Sequence, residues 1–267
     1  MTQISIDRAF GRQAFGLDPA GYDAARPPYP EWVFTHLGDR CGLKPGAATF
    51  EIGPGTGTAT RRLLEMGANP LIVVEPDARL AKFLQESTPA EALTVLVQPF
   101  EDSILEEGRF DLGFSATSFH WLDESAALTK IARLLRPGGW WGMVWNVFGD
   151  ESLPDPFHEA TKSLLGEPQN PSAGNGKVPF ALDASARIAA LERTGVFDSI
   201  EHLTSKWALV LDPEEVVALY ATYSNVVIRP DRDEVLNELR RIARYEFRGE
   251  VTRNMVTSLY VARRRTC

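Results

Sequence analysis

Between residues 45 and 147, short apolar runs alternate with amphipathic stretches, and few folds accept that pattern. The runs are Ala47–Ile52, Leu71–Glu75, Leu93–Val97, Phe110–Ser115 and Trp140–Val147. Between them Ala59–Met66, Ala78–Gln85 and Ala126–Leu135 repeat apolar residues at intervals of three and four, which is the spacing of one helix face. Strand and helix in strict alternation build a parallel sheet with helices on both sides. Lys44-Pro45-Gly46 punctuates the entry to the first strand, and Arg136-Pro137-Gly138-Gly139 is expected to end the fourth helix. The expected fold is α/β and doubly wound.

Outside this core the pattern thins. Residues 1–40 hold the run Arg26-Pro27-Pro28-Tyr29-Pro30 and a helix-like Glu31–Leu37. Residues 149–179, rich in Pro, Gly and Asn, read as an irregular excursion. A helix is expected at Ala184–Thr194, a strand at Ile200–Leu211, helices at Pro213–Tyr223 and Asp231–Phe247, and a last strand at Thr257–Ala262. A chain of 267 residues accommodates one large domain. Residues 1–267 are therefore expected to form a single domain: a cap segment at 1–40, a core at 45–147, an irregular insertion at 148–183 and a helical cap at 213–250.

The net charge of −8 weighs against a nucleic-acid partner, which usually draws a basic footprint. The cluster Arg263-Arg264-Arg265 reads either as a solvated chain end or as a contact for an anionic partner. No apolar run approaches the ~18–20 residues that cross a bilayer, so no membrane partner is expected. A polar start with Asp7 and Arg8 is unlike a signal peptide, and two cysteines make no disulfide framework. Together these predict a cytoplasmic protein, monomer or homodimer. His36, His120, His158 and His202 show no metal-ligand spacing, so no metal is expected.

The most informative residues are Glu51-Ile52-Gly53-Pro54-Gly55-Thr56-Gly57, at the hand-over from first strand to first helix. Alternate glycines let the backbone turn sharply and approach a ligand, and such a turn is where these sheets hold a nucleotide. The second strand ends in Glu75, whose carboxylate is placed to accept both hydroxyls of a ribose. A dinucleotide fingerprint would need glycine at position 58, which is Thr58, and an apolar residue where Glu51 stands. A cofactor with a charged amino-acid tail and no pyrophosphate suits these features, and S-adenosylmethionine is that cofactor.

Here the chain resembles the class I S-adenosylmethionine-dependent methyltransferases, most closely the small-molecule branch that includes trans-aconitate methyltransferase and the quinone-biosynthesis C-methyltransferases. The resemblance covers roughly residues 15–147, with an echo in Ser258–Arg263. It rests on Glu51–Gly57, on Val74-Glu75-Pro76, on Phe100-Glu101-Asp102, on "FDLGFSATSFHW" at Phe110–Trp121 and on "LLRPGG" at Leu134–Gly139. The upstream "YDAARPPYP" resembles a segment that folds over the cofactor in some members. The resemblance implies a Rossmann-like sheet of seven strands, mainly parallel with the last antiparallel, in which Ser258–Arg263 pairs beside Trp140–Val147. The cofactor set it implies is Glu51, Gly53, Gly55 and Gly57 near the amino-acid tail, Glu75 and Pro76 at the ribose, Glu101 or Asp102 at the adenine and Ser115 beside the methionyl group. Asp102 reads equally as a helix cap.

Methyl transfer is a displacement at a sulfonium carbon, so the protein need only orient, desolvate and, where required, deprotonate the acceptor. His120 is the candidate base; the alternative is that His120 and Trp121 shape the pocket wall. Tyr22, Arg26 and Tyr29 are the other candidates, with Arg26 able to pair with a carboxylate of the cofactor or of an acidic acceptor. Trp145, Phe148, Trp207, Tyr220 and Tyr223 either line an acceptor cavity or belong to the core. The reading is therefore an S-adenosylmethionine-dependent methyltransferase with a small-molecule acceptor, its O-, N- or C-selectivity left open. The alternatives are a cofactor-binding protein without methyl transfer and a non-methylating enzyme using the same pocket. A nicotinamide oxidoreductase is disfavoured because no tyrosine has lysine four residues on. A nucleic-acid amino-methyltransferase would place Asp/Asn-Pro-Pro-aromatic where Ser115-Ala116-Thr117-Ser118 stands, and a hydrolase would carry Gly-x-Ser-x-Gly.

Overall fold

The apolar runs pair into one seven-stranded sheet. The computed structural model describes residues 15–148, 153, 155–166, 171–173 and 178–266. Its strands are β1 (Ala47–Ile52), β2 (Ala68–Glu75), β3 (Leu93–Val97), β4 (Phe110–Ala116), β5 (Leu135–Phe148), β6 (Phe197–Leu211) and β7 (Val251–Arg264), in the order β3-β2-β1-β4-β5-β7-β6. β3 through β5 are mutually parallel, and β7 runs antiparallel between β5 and β6. Ser258–Arg263 lies beside Trp140–Trp145, as the resemblance implies.

The helices are α1 (Pro19–Ala25), α2 (Glu31–Cys41), α3 (Thr58–Glu65), α4 (Ala78–Ser87), α5 (Glu124–Leu134), α6 (Pro156–Leu165), α7 (Ala184–Arg193), α8 (Pro213–Tyr220), α9 (Ser224–Val227) and α10 (Arg232–Arg241). One face of the sheet is covered by α2, α3 and α4 through Phe34, Leu37, Leu63 and Leu84. The other carries α5 and α7 through Leu128, Ile131, Ala190 and Leu191, packed around Phe50 and Trp141. A third cluster joins α6, α8 and α10 through Phe157, Val216, Leu219, Tyr220, Val235 and Leu239. No helix among the described residues is long and apolar enough to cross a membrane.

Three expectations are corrected. The 148–183 stretch is not wholly irregular, because α6 lies inside it. Asp155 caps that helix by accepting from the His158 N–H at 2.9 Å, Pro156 sits at its first turn, and Phe157 and Thr161 bury one face. Arg136–Gly139 does not end α5 as a turn; it bulges within the start of β5, where Phe110 faces Leu135 but Leu112 faces Trp140. The helix expected at Asp231–Phe247 keeps its α geometry only to Arg241 and closes as a π-turn over Ile242–Glu246. Of the N-terminal cap segment, residues 1–14 lie outside the described residues.

Candidate active site

The sheet reverses its winding between β1 and β4, where Ile52 lies alongside Ser115. Ligands of open α/β sheets sit at that switch point, outside the carboxyl ends of the strands. The loops leaving β1 and β4 meet there. Gly53 has φ +63°, and a Cβ on it would stand 2.6 Å from Ser118 Cβ, so only glycine fits. Ser118 Oγ donates to the Ile52 carbonyl at 2.6 Å and lies 2.6 Å from Ser115 Oγ, tying the two strand ends together. Thr117 holds φ +53°, a costly conformation for a β-branched residue. Two bonds hold it there: its N–H donates to the Val144 carbonyl at 2.7 Å, and its Oγ1 is 2.7 Å from Tyr29 Oη.

Glu75 is buried at the end of β2. Its Oε2 accepts from the Gly55 N–H at 3.0 Å and its Oε1 from the Asp77 N–H at 2.9 Å, so the carboxylate is aimed across the glycine turn. Glu51 lies behind that turn and is fully buried. Its Oε2 accepts from Thr60 Oγ1 at 2.6 Å, while Oε1 has no partner. Burial, reinforced by the nearby Glu75 charge, pushes the Glu51 carboxyl up to about 7.

One cavity of about 460 Å³ begins at this turn. That is within the usual range of small-molecule pockets, roughly 300–1,000 Å³. At the turn end its wall includes Gly53, Gly55, Glu75, Pro76 and Glu101; further in come Tyr22, Arg26, Tyr29, His120 and Trp121. Glu51, Gly57, Asp102 and Ser115, which the resemblance also puts at the cofactor, are not in the wall. Gly57 (φ +94°) instead lets α3 pack on α4, since a Cβ there would stand 2.3 Å from Leu84 Cδ1. Asp102 is exposed at the end of a single 3-10 turn, and Ser115 reaches the wall only through Ser118. Trp145, Phe148, Tyr220 and Tyr223 line the cavity, whereas Trp207 turns away and donates to Thr257 Oγ1 at 2.9 Å.

The inner chamber is polar in an unusual way. His120 is buried, and its Nδ1 accepts from Trp145 Nε1–H at 3.0 Å. Burial drives its pKa down to about 3, so the imidazole is neutral near pH 7. A base that titrates near 6.5 with a free lone pair, the catalytic expectation for His120, does not fit this geometry. The Arg26 guanidinium lies 4.9 Å from the centre of both the Tyr22 and the Tyr223 rings and donates from Nη2 to the Thr222 carbonyl at 3.2 Å. Arg26 Nε and Tyr223 Oη are buried with no partner. Arg253 was not singled out by the sequence. It lines the far end, donating from Nε to Asp155 Oδ2 at 2.7 Å and from Nη1 to the Tyr220 hydroxyl. The available signal was parity: in β7 it alternates with Val251 and Met255, a charge at a buried position of a strand.

Residues 50–142 match the family model described as a methyltransferase domain. An uncharacterized methyltransferase of Mycobacterium tuberculosis is 26 % identical over 233 residues, covering 86 % of this chain and 85 % of that protein. An uncharacterized methyltransferase-like protein of Schizosaccharomyces pombe is 26 % identical over 241 residues, covering 87 % and 86 %. Among solved structures, phosphoethanolamine N-methyltransferase 2 of Haemonchus contortus, in complex with S-adenosyl-L-methionine, superposes with a TM-score of 0.57 at 16 % identity. That match covers 94 % of this chain but 57 % of the other. YcgJ of Bacillus subtilis gives 0.57 at 13 % identity, covering 88 % and 99 %. Residues 50–142 of the chain thus match a methyltransferase domain, and its fold is one shared with these solved structures.

Proposed function

We propose that this protein methylates a small molecule enclosed between the glycine turn and a cap made of residues 15–40 and 213–250. The observation that carries this is a continuous cavity, which runs from the turn and Glu75 past His120 and Trp121 to Tyr220, Tyr223 and Arg253. A polymer substrate would need an open groove, whereas Arg26 ties the N-terminal segment to the cap at the Thr222 carbonyl.

In this reading the Glu75 carboxylate, aimed across the glycine turn, holds the ribose hydroxyls. Gly53 and Gly55, which carry no side chain, let the cofactor's amino-acid tail approach the backbone of the turn. Pro76 and Glu101 flank the nucleoside, and Trp121 and Tyr29 wall the acceptor. The bound cofactor supplies the activated methyl group; the protein's own work is to orient the acceptor and exclude water. Glu51, with its unpartnered Oε1, supports the turn from behind rather than from the wall.

The test is S-adenosylhomocysteine release, followed by mass spectrometry, with a panel of small acids, amines and phenols. Turnover with one class, at a cofactor KM raised about tenfold in Glu75→Gln, is the expected result. Cofactor binding without turnover on any class would favour a binding protein of the same fold.

A further inference from the structure

Several side chains that face the inner chamber present donors to it. Trp145 Nε1–H points at His120 Nδ1 across 3.0 Å, and both residues are buried. A nitrogen that accepts must present a lone pair, so the neutral ring carries its proton on Nε2. His120 lines the cavity, and no partner for Nε2 is found among the described residues. Tyr223 Oη and Arg26 Nε add two buried donors without partners. Burial keeps the Tyr223 phenol protonated, well above its usual range. The nearby carboxylate, Asp155, lies outside the cavity wall and is paired with Arg253 Nε–H and the His158 N–H.

We propose that Trp145 is a positioning residue that fixes His120 as a hydrogen-bond donor, and that the chamber therefore takes an acceptor bearing an anionic oxygen, a carboxylate. This rests on the cavity being the methyl-transfer chamber. Buried donors facing no protein acceptor are costly until a ligand satisfies them, and a carboxylate satisfies several at once. Among the described residues of the inner wall an ammonium would find no carboxylate. The chemistry also balances without a base: a carboxylate oxygen forms the bond to the methyl carbon, the carbon–sulfur bond breaks, and its electron pair returns to sulfur. An ester and S-adenosylhomocysteine result, and no proton moves. Phe180, with ring centres 6.2 Å from His120 and 5.7 Å from Trp145, supplies an apolar wall for the acceptor's body.

The test uses the full chain with 15N-labelled histidine. Long-range proton–nitrogen spectra report each ring's tautomer, and His120→Gln identifies the His120 signals. The expected wild-type spectrum is a single Nε2–H tautomer, and Trp145→Phe, which removes the donor but keeps an aromatic ring, gives a mixture. Binding of phenylacetate and phenethylamine is then measured with S-adenosylhomocysteine saturating. Phenylacetate binds and phenethylamine does not; His120→Leu weakens phenylacetate by about tenfold, and His120→Gln, which keeps an N–H, restores it. An Nδ1–H tautomer in the wild type, or preference for the amine, overturns the proposal. So does an Nε2–H signal that S-adenosylhomocysteine alone shifts while phenylacetate fails to bind, which would assign the donors to the cofactor's own carboxylate. If Trp145→Phe does not fold, the wild-type tautomer and the His120 pair still decide. Failure of S-adenosylhomocysteine itself to bind would instead overturn the proposed function.

Discussion

The two ends of the cavity are built by different means. At the turn end, almost everything comes from short contiguous segments at the carboxyl ends of β1, β2 and β4, and backbone atoms do much of the work. At the inner end, Arg26, His120, Trp145, Phe180, Tyr223 and Arg253 converge from across most of the chain's length, and side chains do the work. A sheet's switch point fixes the first kind of site for every chain that adopts the fold. The second kind depends on how the cap packs, so it can differ between chains that share a sheet.

The largest effect should come from the inner end, and it concerns folding. Asp155→Ala leaves Arg253 charged, buried and unpaired, which costs about 3–5 kcal/mol. The thermal midpoint should fall by many degrees. A small change would mean that water reaches Arg253 and that the cap is loosely packed.

Next is the turn. Gly53→Ala must abandon φ +63° or push Ser118 aside, and calorimetric affinity for S-adenosylmethionine should fall on the order of a hundredfold, about 2.7 kcal/mol. Retained affinity would show that the cofactor does not approach this backbone.

Glu51 gives a pH-dependent effect of roughly 1–3 kcal/mol. The folded protein holds its proton up to about pH 7, while the unfolded chain releases it near 4.5. The folded state then binds more protons between those values, so this group's contribution to stability falls as pH rises from about 4.5 through 7. Glu51→Gln keeps an acceptor for Thr60 and should raise the melting temperature at pH 8 but hardly at pH 4.5. Equal gains at both would mean that charge burial is not the cause. His120 works oppositely: the unfolded imidazole takes a proton near 6.5 and the folded one only near 3, so its contribution is lost as pH falls below about 6.5.

The smallest effect separates two jobs of one carboxylate. Glu75→Gln should weaken cofactor binding about tenfold and also lower the apo melting point slightly, because the Gly55 and Asp77 amides lose a charged acceptor. From sequence alone Glu75 serves only the ribose; its role in shaping the turn needs coordinates.

That contrast also explains what was legible. The alternating core and the Glu51–Gly57 and Glu75 positions are local patterns set by period and turn chemistry, and sequence carries such patterns well. Helix α6 was missed although Asp155-Pro156 is a start signal and Phe157, Thr161 and Leu164 share a face, because its flanks are rich in Pro, Gly and Asn. Arg253 lay hidden for another reason: its partners, Asp155 and Tyr220, stand 98 and 33 residues away in the chain. His120 was visible as a residue but not as a donor, since its tautomer is written by Trp145, 25 residues on.

In the proposed function one cavity joins the cofactor to an enclosed acceptor. A crystal structure with S-adenosylhomocysteine tests it most directly. The ribose hydroxyls should lie on Glu75, the tail against Gly53 and Gly55, and the sulfur should face the chamber between His120 and Tyr223. A ribose bound away from Glu75, or a sulfur that opens onto bulk solvent, would contradict it.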